Sequence, residues 1–274
     1  MSALASWALE YVASTSLATK LDPPEPPRVP EPAPKVAERP RGPGRPPELR
    51  VVARAKGPRP PFATPEKRAH ALHTFFHHEL QAAELMASAL VAFPETPRAF
   101  RVGLLRVLFD EIRHMRAYQE GMAALGFSVG DFPVRDWFWE RLGDTPSPAA
   151  FVATMGVGFE GGNLDHAARF AKAFDDVGDR ASAAIVRRVG EEEIVHVRFA
   201  LHWLGRFLEK PRADFGDFAR AIPPPLTPSV MRGPTLERGL RERAGFDAEF
   251  LDAFDAFVVE NPSGRPAPRR PVGA

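Results

Sequence analysis

Apolar positions recur at helical spacing through the middle of the chain, and four long helices are expected there. From Thr64-Pro65-Glu66 onward, Leu72, Phe76, Glu79, Ala83, Met86 and Leu90 share one face, and the run stops at Phe93-Pro94. A Thr cap, a Pro at the first helical position and an acid in the first turn are three agreeing start signals. A second helix restarts at Thr96-Pro97, turns Leu104, Val107, Glu111, His114, Tyr118 and Leu125 inward, and ends near Gly126. The third starts at Ser147-Pro148, with Ala153, Val157, Glu160, Leu164 and Ala168 inward. The fourth runs over about 179–208, with Ala183, Val186, Val189, Glu193, His196 and Ala200 inward. The short link between the first two makes them antiparallel neighbours, while residues 127–146 are long enough for a crossover. That crossover carries Phe132, Trp137, Phe138 and Trp139, which either cap the core or wall a substrate pocket. The expected fold is an all-α four-helix bundle.

The ends read differently. Residues 3–18 form a short helical pattern with Leu4, Trp7, Ala8 and Tyr11 on one side, expected to dock on the bundle. Residues 22–61 are Pro-rich and should run extended, without helix or ladder. Beyond Pro211 the tail is again Pro-rich at Pro223-Pro224-Pro225, then offers a helical pair around 236–244 and 247–259. The boundaries that follow are 1–62 for helix and strap, 63–210 for the bundle and 211–274 for a C-terminal extension. Lys35, Arg39, Arg41, Arg45, Arg50, Arg54, Lys56 and Arg59 make the strap basic. It either meets an anionic substrate or RNA, or lies solvated over the bundle.

Composition narrows the chemistry. With 44% hydrophobic residues, 274 positions permit a substantial core, while the 30 prolines crowd the ends. The absence of cysteine excludes disulfides, cysteine-ligated iron–sulfur clusters and thiolate zinc. Any metal must be held by carboxylate and imidazole, a set suited to iron or manganese, with zinc as the alternative. A net charge of +1 gives no global case for nucleic acid or membrane. No apolar run approaches the roughly 20 residues that span a bilayer. The first residues lack a basic start and include Glu10, so a signal peptide is not expected and a reducing cytoplasm is.

One short word occurs twice, as Glu111-Ile-Arg-His114 and Glu193-Ile-Val-His196. On a helix, Glu-x-x-His sets both side chains on one face. Glu79 lies 32 residues before the first copy and Glu160 lies 33 before the second. Four carboxylates and two imidazoles are the inventory of di-iron and di-manganese bundles. Glu79 sits within an apolar stripe, where an unpaired carboxylate would cost several kcal/mol, so something must compensate it. The competing reading is a metal-free bundle with interhelical Glu–His pairs, although buried networks of that size rarely stabilise against an apolar core.

The halves also superpose. Setting Glu79 on Glu160 pairs Glu84 with Asp165, Ala87 with Ala168 and Phe93 with Phe174, and this selects Glu79 over Glu84 as the ligand. Glu84 and Asp165 are then the nearest candidates for orienting the imidazoles. Gly161-Gly162 suggests either a π-bulge beside the site or close approach of a neighbour. Tyr118, one turn after His114, is either plain core or redox-active, a spacing similar to the radical-bearing subunit of ribonucleotide reductase. His70, His73, His77 and His78 crowd the first helix, for packing or for further metal.

Four words, His77-His78-Glu79-Leu80-Gln81-Ala82, Asp110-Glu111-Ile112-Arg113-His114, Gly130-Asp131-Phe132-Pro133-Val134 and Glu193-Ile194-Val195-His196, resemble the ferritin-like family catalogued as domain of unknown function 455. The likeness extends from the N-terminal helix through Pro43-Gly44-Arg45-Pro46 to Ala244-Gly245-Phe246. It implies a ferritin-like bundle with Glu79, Glu111, His114, Glu160, Glu193 and His196 as metal ligands, and it implies no reaction. The layout is also similar to that of the di-iron hydroxylase that modifies tRNA. One stretch departs: Gly161-Gly162-Asn163-Leu164-Asp165 stands where the family reads closer to Ala-Arg-Gly-Leu-Asp. The expected function is that of an O₂-dependent di-iron oxidase or monooxygenase. It would use two iron ions (or manganese, or a mixed pair), O₂ and an external electron donor on a small-molecule or RNA substrate. The alternative is an iron-storing, ferroxidase or peroxide-scavenging bundle. No membrane partner is expected, and a homodimer is the assembly to test.

Overall fold

The chain is described by a computed structural model over residues 2–34, 39–40 and 42–258. Among these residues the secondary structure is helical, with one isolated β-bridge and no strand. None of the helices is long and apolar enough to cross a membrane.

The first helix is interrupted where a single one was expected. Helix α1 (Ala3–Ala13) ends at Ser14, and α2 (Leu17–Leu21) starts from Ser16, whose side chain accepts from the Thr19 N–H. Serines at 14 and 16 offer the backbone local partners in place of a continuing helix, which breaks the run. Leu4, Trp7, Ala8, Tyr11 and Val12 are buried, and α1 packs on the first bundle helix.

The following strap is extended and pinned to the bundle by arginines. Arg98 Nε donates to Val29 O at 3.0 Å and Arg101 Nη2 to Pro30 O at 2.9 Å. Arg39 reaches Thr145 O at 2.8 Å. Contrary to the expectation of no ladder, the strap makes a parallel bridge to the crossover: Val52 N donates to Val134 O (2.8 Å) and Val134 N to Arg50 O (3.0 Å). Val134 follows Pro133 outside any helix, so its backbone N–H and C=O need partners, and the strap supplies them. Of the basic residues, Arg39 and Arg45 turn inward, while Arg50, Arg54, Lys56 and Arg59 are exposed. Lys35 and Arg41 lie outside the described residues.

Four long helical segments form the body. Helix α3 (Pro65–Ala92) starts as the sequence dictates, with Thr64 capping the Lys67 N–H and Pro at the first turn. Helix α4 (Arg98–Ala124) closes at Gly126, whose φ of +84° suits glycine alone. A single turn, α5 (Trp139–Leu142), interrupts the crossover. The third segment is composite: α6 (Pro148–Phe151), a π-helical stretch over Val152–Glu160, then α7 (Gly161–Asp175). Helix α8 (Arg180–Phe207) begins from Asp179, which caps the Ser182 N–H. The most extensive packing is α3 on α4 and α7 on α8, and α8 also meets the π stretch and α4. At Gly156 a Cβ would fall 2.3 Å from the Ala200 Cβ, so α8 comes this close because no side chain intervenes.

The tail adds α9 (Phe215–Ala221), α10 (Arg238–Ala244) and α11 (Ala248–Ala256). Helix α9 was not expected, although Asp214 and Asp217 form a reciprocal capping box. The anticipated pair is otherwise present with shorter bounds, and Val259 lies outside the described residues. Phe215, Phe218, Phe250 and Phe254 pack α9 against α11.

Two acids at equivalent places in the repeat tie down the two ends of the chain. Glu84 Oε1 meets Lys20 Nζ at 2.7 Å and Arg45 Nη1 at 2.6 Å, with Lys20 fully buried. Lys20 spends its other protons on Tyr11 O and Val12 O. Asp165 grips Arg241 through Nε (2.9 Å) and Nη2 (2.8 Å), and accepts the Gly233 and Glu237 N–H groups. Five residues along a helix rotate a side chain by about 140°. Glu84 and Asp165 therefore point away from the bundle axis, toward the strap and the tail.

Candidate metal centre

All six residues singled out by the repeat converge in the bundle interior. Glu79 comes from α3, Glu111 and His114 from α4, Glu160 from the last π residue, and Glu193 and His196 from α8; each is at most 4% exposed. Oxygen and nitrogen donors of Glu79, Glu111, His114 and Glu193 lie within 4.8 Å of one another, a buried cluster able to hold a metal ion. His114 Nδ1 is 3.2 Å from Glu111 and 3.4 Å from Glu193. His196 Nδ1 is 2.9 Å from Glu193 and 3.1 Å from Glu111. Glu160 joins electrostatically through Glu193 and Glu111, and its Oε1 is buried with no hydrogen-bond partner among the described residues.

Such a cluster is frustrated without cations. Burial raises the Glu79 carboxyl well above the ordinary range, and Glu111 and Glu193 push it further. Burial, then Glu193 and Glu111, does the same to Glu160. Glu193 is held low because His196 and His114 outweigh its burial. Burial alone would lower His114, but hydrogen bonds to Glu111 and Glu193 raise it to about 10. His196 is raised well above its usual value against burial, by Glu193 and Glu111. The cluster thus sets two imidazoles that favour the proton and two carboxyls that burial disposes to keep theirs against two carboxylates held toward the ionised form. Four carboxylate groups, one with an unpartnered oxygen, and two imidazoles are a donor set able to hold a metal ion in place of protons.

The imidazoles are oriented by a pair of residues the sequence reading passed over. His196 Nε2 lies 3.1 Å from Asp110 on α4, and His114 Nε2 lies 3.1 Å from Glu192 on α8. Each carboxylate directly precedes the Glu of one Glu-x-x-His word and serves the histidine of the other. Arg113 spans the two, pairing with Asp110 and, at 2.9 Å, with Glu192. Glu84 and Asp165, expected in this role, hold the strap and the tail instead, because their helical phase turns them outward. The acid before each Glu was the available signal.

The π stretch ends on Glu160, and the Gly161 N–H bonds back to Gly156 O, five residues earlier. The widened turn therefore precedes the twin glycines rather than containing them. Gly162 serves close packing, since a Cβ there would lie 3.0 Å from Met231 O. Tyr118 is buried against Phe75 (5.6 Å between ring centres), and burial with Glu79, Glu193 and Glu111 keeps its phenol protonated. Of the four α3 histidines, His73 Nε2 accepts the Gly130 N–H and His77 Nε2 sits 3.1 Å from Asp136, both tying the crossover to α3. His70 packs on Phe132, and His78 on Phe138.

A cavity of about 200 Å³ opens directly over Glu79 and Glu160. Phe75, Trp137, Phe138, Phe159 and Met231 supply much of its apolar wall. Gln81 fixes the crossover side by accepting the Phe138 and Trp139 N–H groups. The crossover aromatics Trp137 and Phe138 thus wall a pocket rather than only capping the core. His114 and His196 lie toward the opposite, Asp110–Glu192 side.

Comparison with known proteins gives a family and a distant relative. A Haemophilus influenzae protein carrying the description "Uncharacterized protein" is 27% identical over 172 residues, which is 60% of this chain and 60% of the relative's own length. No solved structure matches the chain. The family described as "Protein of unknown function (DUF455)" matches residues 5–252. The chain belongs to the DUF455 family.

Proposed function

We propose that this chain is a ferritin-like di-metal carboxylate protein acting as a non-haem di-iron, O₂-dependent oxidase or monooxygenase. The observation that carries the reading is the cavity of about 200 Å³ over Glu79 and Glu160, the two carboxylates contributed without a histidine partner. A storage or ferroxidase centre needs a path for iron, not a room walled by aromatic rings.

Glu79, Glu111, His114, Glu160, Glu193 and His196 would hold the two ions, and iron bound there would supply O₂ activation, with manganese or a mixed pair as alternatives. The chain's own residues set the conditions. Asp110 and Glu192 take the outward N–H of each imidazole, which leaves each Nδ1 lone pair directed at the centre. Phe138, Phe159 and Trp137 give the substrate side an apolar wall. Monooxygenation places one oxygen atom in the substrate and reduces the other to water, so two electrons and two protons come from an external donor.

The test is anaerobic loading with Fe(II) followed by rapid mixing with O₂. A fast optical transient at two irons per chain, with no further iron uptake, supports an oxidase. Continued oxidation of many irons per chain would favour storage, and no O₂ reaction at full loading would remove the enzymatic reading.

A further inference from the structure

Beside the chamber over Glu79 and Glu160 lies a second one of about 170 Å³, and the two share a wall. His78 and Trp137 line both. Each chamber is smaller than the roughly 300 Å³ usual at the lower end for small-molecule sites. One ligand extending through both would fit that range better than two separate ones.

The chambers differ in character. The inner one presents Phe138 and Phe159, stacked at 4.9 Å between ring centres, with Trp137 edge-on to Phe159 at 5.3 Å. Much of its wall is aromatic, so a negatively charged group entering there would lose its hydration against apolar rings. The outer one is lined by Lys56 and Arg135, together with Thr74 and His77, and no carboxylate lines it. Lys56 is exposed and has no ion-pair partner among the described residues, while Arg135 pairs only with the exposed Glu140. The two neighbouring chambers thus differ in polarity, with cationic side chains lining the outer one and aromatic surface lining the inner one.

We infer that the substrate is an elongated small molecule with an aromatic or unsaturated end in the inner chamber. A carboxylate or phosphate sits at the other end, against Lys56 and Arg135, and the linker passes between His78 and Trp137. This rests on the proposed reading of Glu79 and Glu160 as metal ligands only for which end reacts. Binding itself requires no metal.

The experiment is calorimetric titration of the full-length, metal-free protein with 4-phenylbutyrate, its neutral amide and 3-phenylpropyl phosphate. At least one anion should bind about tenfold or more tighter than the amide, and which one wins separates carboxylate from phosphate. Lys56→Ala with Arg135→Ala should erase that preference while leaving amide binding in place; both residues lie at the surface, so the fold is retained. Phe159→Trp, which fills the inner chamber, should weaken all three. Equal binding of acid and amide, a preference that survives the double substitution, or no binding of any probe up to about 10 mM would overturn the inference. Charge preference in a protein that takes up no metal would sustain this site and sink the proposed function. Metal uptake and O₂ reaction without charge preference would sink this inference alone.

Discussion

His196 on α8 is oriented by Asp110 on α4, with 3.1 Å between Nε2 and the carboxylate, and the mirror contact joins His114 to Glu192 at the same distance. The crossing follows from helix direction: residues 110–114 run alongside 196–192, so each acid lands beside the other word's histidine. An ionised carboxylate can only accept, which forces the proton onto Nε2 and turns Nδ1 inward. Asp110→Asn and Glu192→Gln should each weaken metal binding by about 10–100-fold while leaving the melting temperature of the metal-free protein nearly unchanged. Competition titration against a chromophoric chelator reads the affinity, and an unchanged affinity in both variants would remove the orienting role.

Glu79 and Glu84, about 1.4 helical turns apart, should answer substitution in opposite ways. Glu79→Ala is expected to lose at least one metal. Glu84→Ala is expected to keep both but lose about 3–5 kcal/mol of stability, because Lys20 is left as a buried cation with no carboxylate partner, while Arg45 keeps Asp136. Metal analysis together with chemical denaturation separates the two, and the reverse pattern would mean that the helical phase is misread.

Stability should depend on pH with a definite sign. His114, raised to about 10 in the metal-free protein, contributes stability that is full below its unfolded value of about 6.5 and lost as pH climbs toward the folded one. Glu79 and Glu160, also raised, act in the same direction, since keeping them buried becomes costlier as pH rises above about 4.3. The metal-free protein should therefore melt progressively lower from pH 6 to pH 9 (about 3 units spanning these groups). The metal-loaded protein should not, because its ligands have already released their protons. Thermal melts of both forms across that range check this, and parallel curves would contradict it.

The tail should detach when its clasp is cut. Arg241 is fully buried on Asp165, and Asp165 also holds the backbone at Gly233 and Glu237. Asp165→Ala should expose amides of residues 231–237 to hydrogen exchange at least tenfold faster (about 1.4 kcal/mol). Exchange in α3 and α4 should stay the same.

Much of this was readable from local rules. Thr64-Pro65 and Ser147-Pro148 mark true helix starts, and the i, i+3 spacing alone puts Glu111 beside His114 and Glu193 beside His196. What could not be read is contact between elements. Nothing local to Glu84 says that Lys20 and Arg45 will cover it, and nothing near Asp110 says that its partner is His196. The π register is invisible in side-chain periodicity, since Val152–Phe159 is apolar but for Thr154 and shows no polar face. The Ser14–Ser16 break was legible as two caps, but a continuous apolar period masked it.

The most direct measurement is an anomalous difference map at the iron edge from crystals of Fe(II)-loaded protein. Two peaks about 3.5–4 Å apart, enclosed by Glu79, Glu111, His114, Glu160, Glu193 and His196, are the expected result. A map with no peak there, or with iron bound elsewhere on the chain, would contradict the account.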